Sequence, residues 1–224
     1  MKRTLVVLAD GAFGLTAPLP LDDEFQAALL EAALKDTLTL CQKLDFGPGW
    51  APPQCVLSYS GDRDWHAQRA GVTWLLVPQM GLTLSQKLDN LLIALTPEPD
   101  DETLFLGPRT PHLALRDLQH IFIALHQQGT GVGATAAGGI YALGIRGRWP
   151  TGVLQQVRWQ EPQAVHDVQQ AFRRLRVGVA MLEEANPLAD REALLRLLDD
   201  VPACDVQAFP FLKSMARKTG LAPR

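Results

Sequence analysis

Short apolar runs alternate with longer amphipathic segments along the first 130 residues. Runs that are apolar throughout are typical of parallel strands buried on both faces, and they predict strands at Thr4–Ala9, Gln54–Tyr59, Thr73–Val77 and Thr103–Leu106. The intervening segments predict helices, with apolar residues at a spacing near 3.6 in the longer ones; these helices are Leu21–Leu44, Asp62–Ala70, Leu84–Leu95 and Leu115–Gln127.

The pattern changes after residue 130. Strands are predicted at Val132–Ala134 and Ile140–Ile145, on either side of a loop of small residues, and Val177–Leu182 fits a strand or a helix end. Helices are predicted at Asp167–Arg176, Glu192–Leu198 and Phe209–Lys218. The alternation predicts an α/β fold, a three-layer sandwich with a mostly parallel sheet and helices on both faces. We expect one domain over residues 1–200, with a helical C-terminal extension, residues 201–224, packed on it.

Three loops follow predicted strands at the edge where such a sheet binds ligands, beyond the carboxyl ends of its strands. They are Asp10–Thr16, Gly107–Pro111 and Thr135–Gly139. The Gly138-Gly139 pair fits either a close approach of backbone to a ligand or a tight turn between strands. The acidic pair Asp100-Asp101 is expected in a solvated turn, away from the strand ends.

Composition and charge limit the classes of partner. The 224 residues are 47% hydrophobic and 20% charged, with a net charge of −3, so the chain has no electrostatic reason to bind nucleic acid or an anionic membrane. No apolar run approaches the ~20 residues of a membrane span. The three cysteines are widely spaced and show no metal-ligand or disulfide pattern. We expect a cytoplasmic protein, and a homo-oligomer stays open.

Two segments in the middle of the chain carry a resemblance to a known family. They are the strand and loop Leu104-Phe105-Leu106-Gly107-Pro108-Arg109-Thr110-Pro111, and the loop and strand that run from Ala134 to Gly144. With Gln79, Trp159 and the segment Asn186–Asp190, they resemble a bacterial family of nucleotide-diphospho-sugar transferase-like proteins with a GT-A fold. The resemblance covers roughly Thr4 to Leu198 and implies a nucleotide or nucleotide sugar as ligand.

The family's acidic residues are missing from this chain. Arg109 and Ala137 stand where the family has aspartates, Leu188 falls near a third, and the first loop lacks the family's basic residues. In this fold carboxylates hold a divalent cation that stabilises charge on the diphosphate, and arginine and alanine cannot bind Mg²⁺ or Mn²⁺. The resemblance therefore implies a degenerate or metal-independent site; no metal site or cofactor is expected, and Mg²⁺ or Mn²⁺ only if the family's site survives.

The resemblance and the loop positions together define the candidate site residues. No catalytic residue is assigned. The candidates for binding nucleotide or phosphate are Asp10, Gly11, Gly14, Gly107, Arg109, Gly138 and Gly139, and those for the acceptor side are Tyr141 and Trp159. Arg109 fits a surface residue or a guanidinium that replaces the cation on diphosphate oxygens. The implied function is that of a glycosyltransferase-like protein, and the alternative is a non-catalytic scaffold or partner-binding protein that keeps only the fold.

Overall fold

A computed structural model of the chain gives its secondary structure, packing and side-chain contacts over most of the sequence. The residues that it describes are 1–9, 23–108, 113–135, 138–159, 161–185, 188, 191–199 and 209–218.

A single sheet runs through the described part of the chain. Its seven strands are β1 (Arg3–Leu8), β2 (Gln54–Tyr59), β3 (Leu75–Pro78), β4 (Glu102–Leu106), β5 (Thr130–Ala134), β6 (Ile140–Arg146) and β7 (Ala180–Met181). They lie in the order β3-β2-β1-β4-β6-β5-β7. Strand β6 is antiparallel to its neighbours β4 and β5, and every other pair is parallel. The prediction of a mostly parallel sheet is confirmed.

Helices cover both faces of this sheet. They are α1 (Asp23–Gln42), α2 (Arg63–Ala70), α3 (Leu84–Leu95), α4 (Leu115–Gln128), α5 (Ala164–Arg174), α6 (Arg191–Asp199) and α7 (Pro210–Lys218). Helices α3 and α5 pack on one face with Val6 and Phe105, and α1, α2 and α4 pack on the other with Leu5 and Leu104. This is the predicted three-layer α/β architecture.

The central strand β1 shows why the apolar runs predicted the sheet. Val6 and Leu8 point to the face of α3 and α5, and Leu5 and Val7 point to the face of α1 and α4. All four side chains are fully buried. Successive residues of a strand alternate between faces, so a strand with a helical layer on each side has to be apolar at every position.

Helices α6 and α7 form a further layer on the outer face of α1. Leu29 of α1 packs with Leu194 of α6 and Leu212 of α7. Asp36 of α1, which is only 4% exposed, accepts hydrogen bonds from the backbone N–H groups of Phe211 (3.1 Å) and Leu212 (2.9 Å). The first N–H groups of a helix have no partner within the helix, and the carboxylate of Asp36 on α1 is the hydrogen-bond acceptor for two such groups of α7. The helix expected at Phe209–Lys218 is therefore present; the domain boundary at residue 200 stays a prediction.

Buried charges close the amino-terminal edge of the sheet, opposite the candidate loops. Glu102 is 0% exposed and accepts hydrogen bonds from Arg3 Nε (3.0 Å) and His126 Nδ1 (3.1 Å). The Arg3 guanidinium also lies 4.2 Å from the ring centre of Phe46 and 4.4 Å from that of Trp50.

The expectation of a solvated turn at Asp100-Asp101 is wrong for Asp101. This residue is buried, and its carboxylate accepts the backbone N–H groups of Lys2 (2.6 Å) and Glu98 (3.1 Å). It therefore fastens the start of the chain to the turn that precedes β4.

Candidate functional site

The carboxyl ends of six parallel strands lie toward one edge of the sheet, which we call the carboxyl edge. Strands β1 to β5 and β7 end on this side, and the antiparallel strand β6 begins there. Backbone hydrogen bonds continue past the strands, from Ala9 N–H to Ser58 O (2.8 Å) and from Gln79 N–H to Tyr59 O (2.7 Å). The described parts of the predicted loops lie at this edge.

The loop after β4 is held from two sides. Gly107 N–H donates to the backbone oxygen of Tyr141 on β6 (3.1 Å). Thr37 of α1, itself buried, donates its hydroxyl to Pro108 O (3.3 Å). The loop therefore leaves β4 in a direction set by β6 and α1. Arg109 comes next in the chain and lies outside the described residues, as do Asp10, Gly11 and Gly14 of the first loop.

Gly138 and Gly139 lie in a tight turn between β5 and β6. Gly138 N–H donates to Thr135 O (2.8 Å), and Gly139 N–H donates to Thr135 Oγ1 (3.0 Å). Gly138 has a φ of +81°, and a Cβ there would lie 2.7 Å from the backbone oxygen of Pro162, so both its conformation and its surroundings require glycine. Both amides are hydrogen-bonded within the turn, which favours the turn interpretation; their role in phosphate binding stays a prediction.

The two residues predicted on the acceptor side are both buried. Tyr141 is 4% exposed, and its hydroxyl donates to the backbone oxygen of Glu183 (2.9 Å). Trp159 is 8% exposed and lies in the core under α3 and α5, where its indole N–H donates to Ser85 Oγ (2.8 Å). The Trp159 contact holds the segment that follows β6 against α3. A direct contact with an acceptor stays a prediction for both residues.

Two polar atoms at the carboxyl edge are buried without a hydrogen-bond partner among the described residues. They are Ser58 Oγ, near the end of β2, and Gln79 Oε1, just after β3. The amide of Gln79 is oriented by its other atom, because Nε2 donates to Ser58 O (3.2 Å). Such atoms cost free energy unless something binds them. Sequence reasoning noted Gln79 and missed Ser58, although a serine near the end of an apolar strand was a usable signal.

The carboxylates in the described ranges do not form a site for a divalent cation. No group of three His, Cys, Asp or Glu side chains in these ranges could hold a metal ion. Asp62, the carboxylate that follows β2, caps helix α2 instead, since its Oδ1 accepts Asp64 N–H (2.8 Å) and Trp65 N–H (3.3 Å). Mg²⁺ and Mn²⁺ need several oxygen ligands, so the described residues do not fit such a cation.

The sheet, its two helical layers and its polar carboxyl edge define an α/β protein with the fold of nucleotide-diphospho-sugar transferases. The family described as "uncharacterized protein conserved in bacteria (DUF2064)" matches residues 50–161, half of the chain. The chain belongs to this family, and the resemblance found in the sequence is confirmed. No curated protein matches the chain in sequence.

Solved structures support the fold over nearly the whole chain. A protein from Desulfovibrio desulfuricans G20, named as a candidate nucleotide-diphospho-sugar transferase, is 16% identical, and the match covers 100% of both chains with a TM-score of 0.78. Mycobacterium tuberculosis H37Rv Rv0371c, solved with manganese, is 18% identical over 89% of this chain and 99% of its own, with a TM-score of 0.50. CMP:2-keto-3-deoxy-manno-octonic acid synthetase, solved with CTP, is 12% identical over 88% and 97%, with a TM-score of 0.50. At these identities the likeness is one of fold.

None of the helices in the described ranges combines the length and apolar character that crossing a bilayer requires.

Proposed function

We propose that the chain binds a nucleoside diphosphate or a nucleotide sugar at the carboxyl edge, as a degenerate or metal-independent relative of glycosyltransferases. The observation that carries the proposal is Gln79 Oε1, a buried acceptor without a described partner. It lies beyond the strand ends, where open α/β sheets bind ligands. A protein of the same fold supports the class of ligand, because it was solved with CTP.

Gln79 Oε1 suits an N–H or O–H donor of the ligand. Its Nε2 already donates to Ser58 O, whereas its Oε1 accepts no hydrogen bond from a described residue, so the carbonyl end of the amide is the end that a ligand would satisfy. A carbonyl oxygen accepts a hydrogen bond from a base amide or amine, or from a sugar hydroxyl. Ser58 Oγ, on the neighbouring strand, adds a group that both donates and accepts.

The phosphates need a positive partner, since the described residues do not fit a cation bound by carboxylates. Arg109 is the basic residue of the loop that follows Gly107 and Pro108. A guanidinium binds two phosphate oxygens at once in a fork geometry. We therefore assign diphosphate binding to Arg109 as part of the proposal.

The first test is a thermal-shift panel of nucleoside diphosphates and nucleotide sugars, each with and without Mn²⁺. A ligand that binds the folded state raises Tm by mass action. We expect a Tm increase of the same size with and without Mn²⁺, and its loss in Arg109→Ala. An increase only with Mn²⁺ would contradict metal-independent binding. No increase with any nucleotide would contradict the proposal and leave a non-catalytic scaffold or partner-binding protein.

Gln54 provides a matched control for Gln79. Its Oε1 is also buried without a described partner, but Gln54 lies at the start of β2, at the amino-terminal edge. Both Gln→Ala variants remove the same group. Because one hydrogen bond is worth about 1 kcal/mol, Gln79→Ala should raise the Kd of the best nucleotide about five- to tenfold, and Gln54→Ala should leave it unchanged. Equal effects of the two variants would refute the role of Gln79.

A further inference from the structure

Tyr141 lies at an irregularity of the sheet next to the candidate site. Gly133 of β5 pairs with Ala142 of β6, but the next residue, Ala134, pairs with Ile140. Tyr141 is therefore the extra residue of a β-bulge. Bulges change the direction of a side chain and are common beside active sites. The contacts of Tyr141 therefore show what this bulge does at the carboxyl edge.

The ring of Tyr141 occupies space that β5 leaves open for it. A Cβ on Gly133 would lie less than 3.0 Å from three atoms of the Tyr141 ring. The ring therefore lies directly against the backbone of β5, on the face covered by α1 and α4. From this position the hydroxyl reaches across β5 to the backbone oxygen of Glu183 (2.9 Å).

Glu183 belongs to a segment that runs beside the Thr135–Gly139 turn. Leu182 N–H donates to Val132 O and Ala185 N–H donates to Ala134 O, each at 3.0 Å, and Thr135 forms an isolated bridge with Ala185. Between these two backbone bonds, the Tyr141 hydroxyl adds a third, from a different strand. The backbone of Tyr141 makes a contact on the opposite side, toward β4, where its oxygen accepts Gly107 N–H (3.1 Å).

We propose that Tyr141 is a positioning residue that fixes the loop after β4 and the segment Leu182–Ala185 relative to each other at the carboxyl edge. Its effect on ligand binding rests on the proposed function, whereas its effect on the two segments does not. Burial raises the pKa of Tyr141 to about 12, so the hydroxyl stays protonated and able to donate at neutral pH. Its hydroxyl is occupied by Glu183, so it acts on a ligand through the backbone that it holds.

The test is Tyr141→Phe, which keeps the ring and removes the hydroxyl. We expect amide hydrogen exchange of Leu182–Ala185 to rise about five- to tenfold, since one hydrogen bond to the segment is lost. Tyr59, the other of the two tyrosines of the chain, provides the control, because it ends β2 and its ring packs against His66 of α2. Tyr59→Phe should leave exchange in this segment unchanged. Unchanged exchange in Tyr141→Phe would overturn the proposal.

Nucleotide affinity separates positioning from plain destabilisation and from direct contact. Trp149→Phe is the comparison variant, because it also removes one buried side-chain hydrogen bond, from the indole N–H to Asp89 (2.7 Å). Trp149 follows the end of β6 that lies away from the carboxyl edge. We expect Tyr141→Phe to raise the nucleotide Kd severalfold and Trp149→Phe to leave it unchanged. A higher Kd without faster exchange would show that the hydroxyl contacts the ligand directly and would overturn the proposal. If the unmodified protein binds no nucleotide, the proposed function fails, and the exchange experiment still decides the role of Tyr141.

Discussion

Asp36 links the stability of the protein to pH through the docking of its C-terminal helix. Burial raises the pKa of the Asp36 carboxyl from 3.8 to about 6, although the N–H groups of Leu212 and Phe211 and the charge of Lys213 act in the opposite direction. In the unfolded chain the carboxyl returns to its ordinary pKa. Between pH 4 and 6 the folded protein therefore binds more protons at this position than the unfolded chain does.

The sign and size of the effect follow from this difference. When the folded pKa is the higher one, the stabilisation is complete below the unfolded pKa and is lost as the pH rises through the folded pKa. The two pKa values of Asp36 differ by an amount that corresponds to about 3 kcal/mol. Because pH 4 already lies just above the unfolded pKa, the Asp36 contribution to the free energy of unfolding should decrease by about 2 kcal/mol of this between pH 4 and pH 7.

The assay is urea unfolding of the wild type and of Asp36→Asn at pH 4, 5, 6 and 7. Asparagine does not titrate, so the difference between the two proteins isolates Asp36 from the other titrating groups. We expect the wild-type advantage to decrease steadily up to pH 7. A constant difference would refute the reasoning, and an increasing one would show that the two N–H groups of α7 outweigh burial. Asp167→Asn is a control that should give a nearly constant difference over this range, because Arg158 lowers the pKa of Asp167 to about 2 and the carboxyl therefore titrates almost entirely below pH 4.

Two further substitutions test the packing described above, each by urea unfolding. Gly133→Ala should lower the free energy of unfolding by about 1–3 kcal/mol, because the new Cβ collides with the Tyr141 ring. When Tyr141 is also replaced by alanine, Gly133→Ala should no longer destabilise the protein. If Gly133→Ala costs the same free energy with and without the Tyr141 ring, this explanation is wrong. Arg3→Ala should cost about 3–5 kcal/mol, because it leaves the fully buried carboxylate of Glu102 with the half-exposed His126 as its one remaining charged partner among the described residues. A cost below about 1 kcal/mol would show that water reaches Glu102.

Local patterns in the sequence predicted most of the elements. The helix predicted at Leu84–Leu95 has these bounds in the structure, and the strand at Gln54–Tyr59 does as well. Both are bounded by local signals, such as the capping box that Thr83 and Gln86 form at the start of α3. The helix predicted at Asp167–Arg176 is observed at Ala164–Arg174. It ends earlier than predicted because Arg176 adopts a left-handed conformation with a φ of +59°.

Contacts between distant parts of the chain could not be predicted in this way. Glu102 lies outside the strand predicted at Thr103–Leu106, yet it is the first residue of β4 and is buried, and Arg3 binds it from 99 positions earlier in the chain. For the candidate site, the sequence located the loops and the Gly138-Gly139 turn. The hydrogen bonds of the turn could not be predicted: the backbone oxygen of Thr135 accepts Gly138 N–H, and its hydroxyl oxygen accepts Gly139 N–H. The positions of the two glycines in the sequence do not show that Thr135 is their partner.

The partnership between Asp36 and the start of α7 spans 175 and 176 positions of sequence. During synthesis the chain leaves the ribosome from its amino terminus, so the sheet and the helices on its two faces emerge well before residues 210–218. Until then the outer apolar face of α1, with Leu29, Ala32 and Ala33, lacks the cover that α7 provides. Exposed apolar surface on an incomplete chain is prone to aggregation. A protein truncated before α7 would permanently lack this part of the cover and would become a substrate for chaperones and proteases.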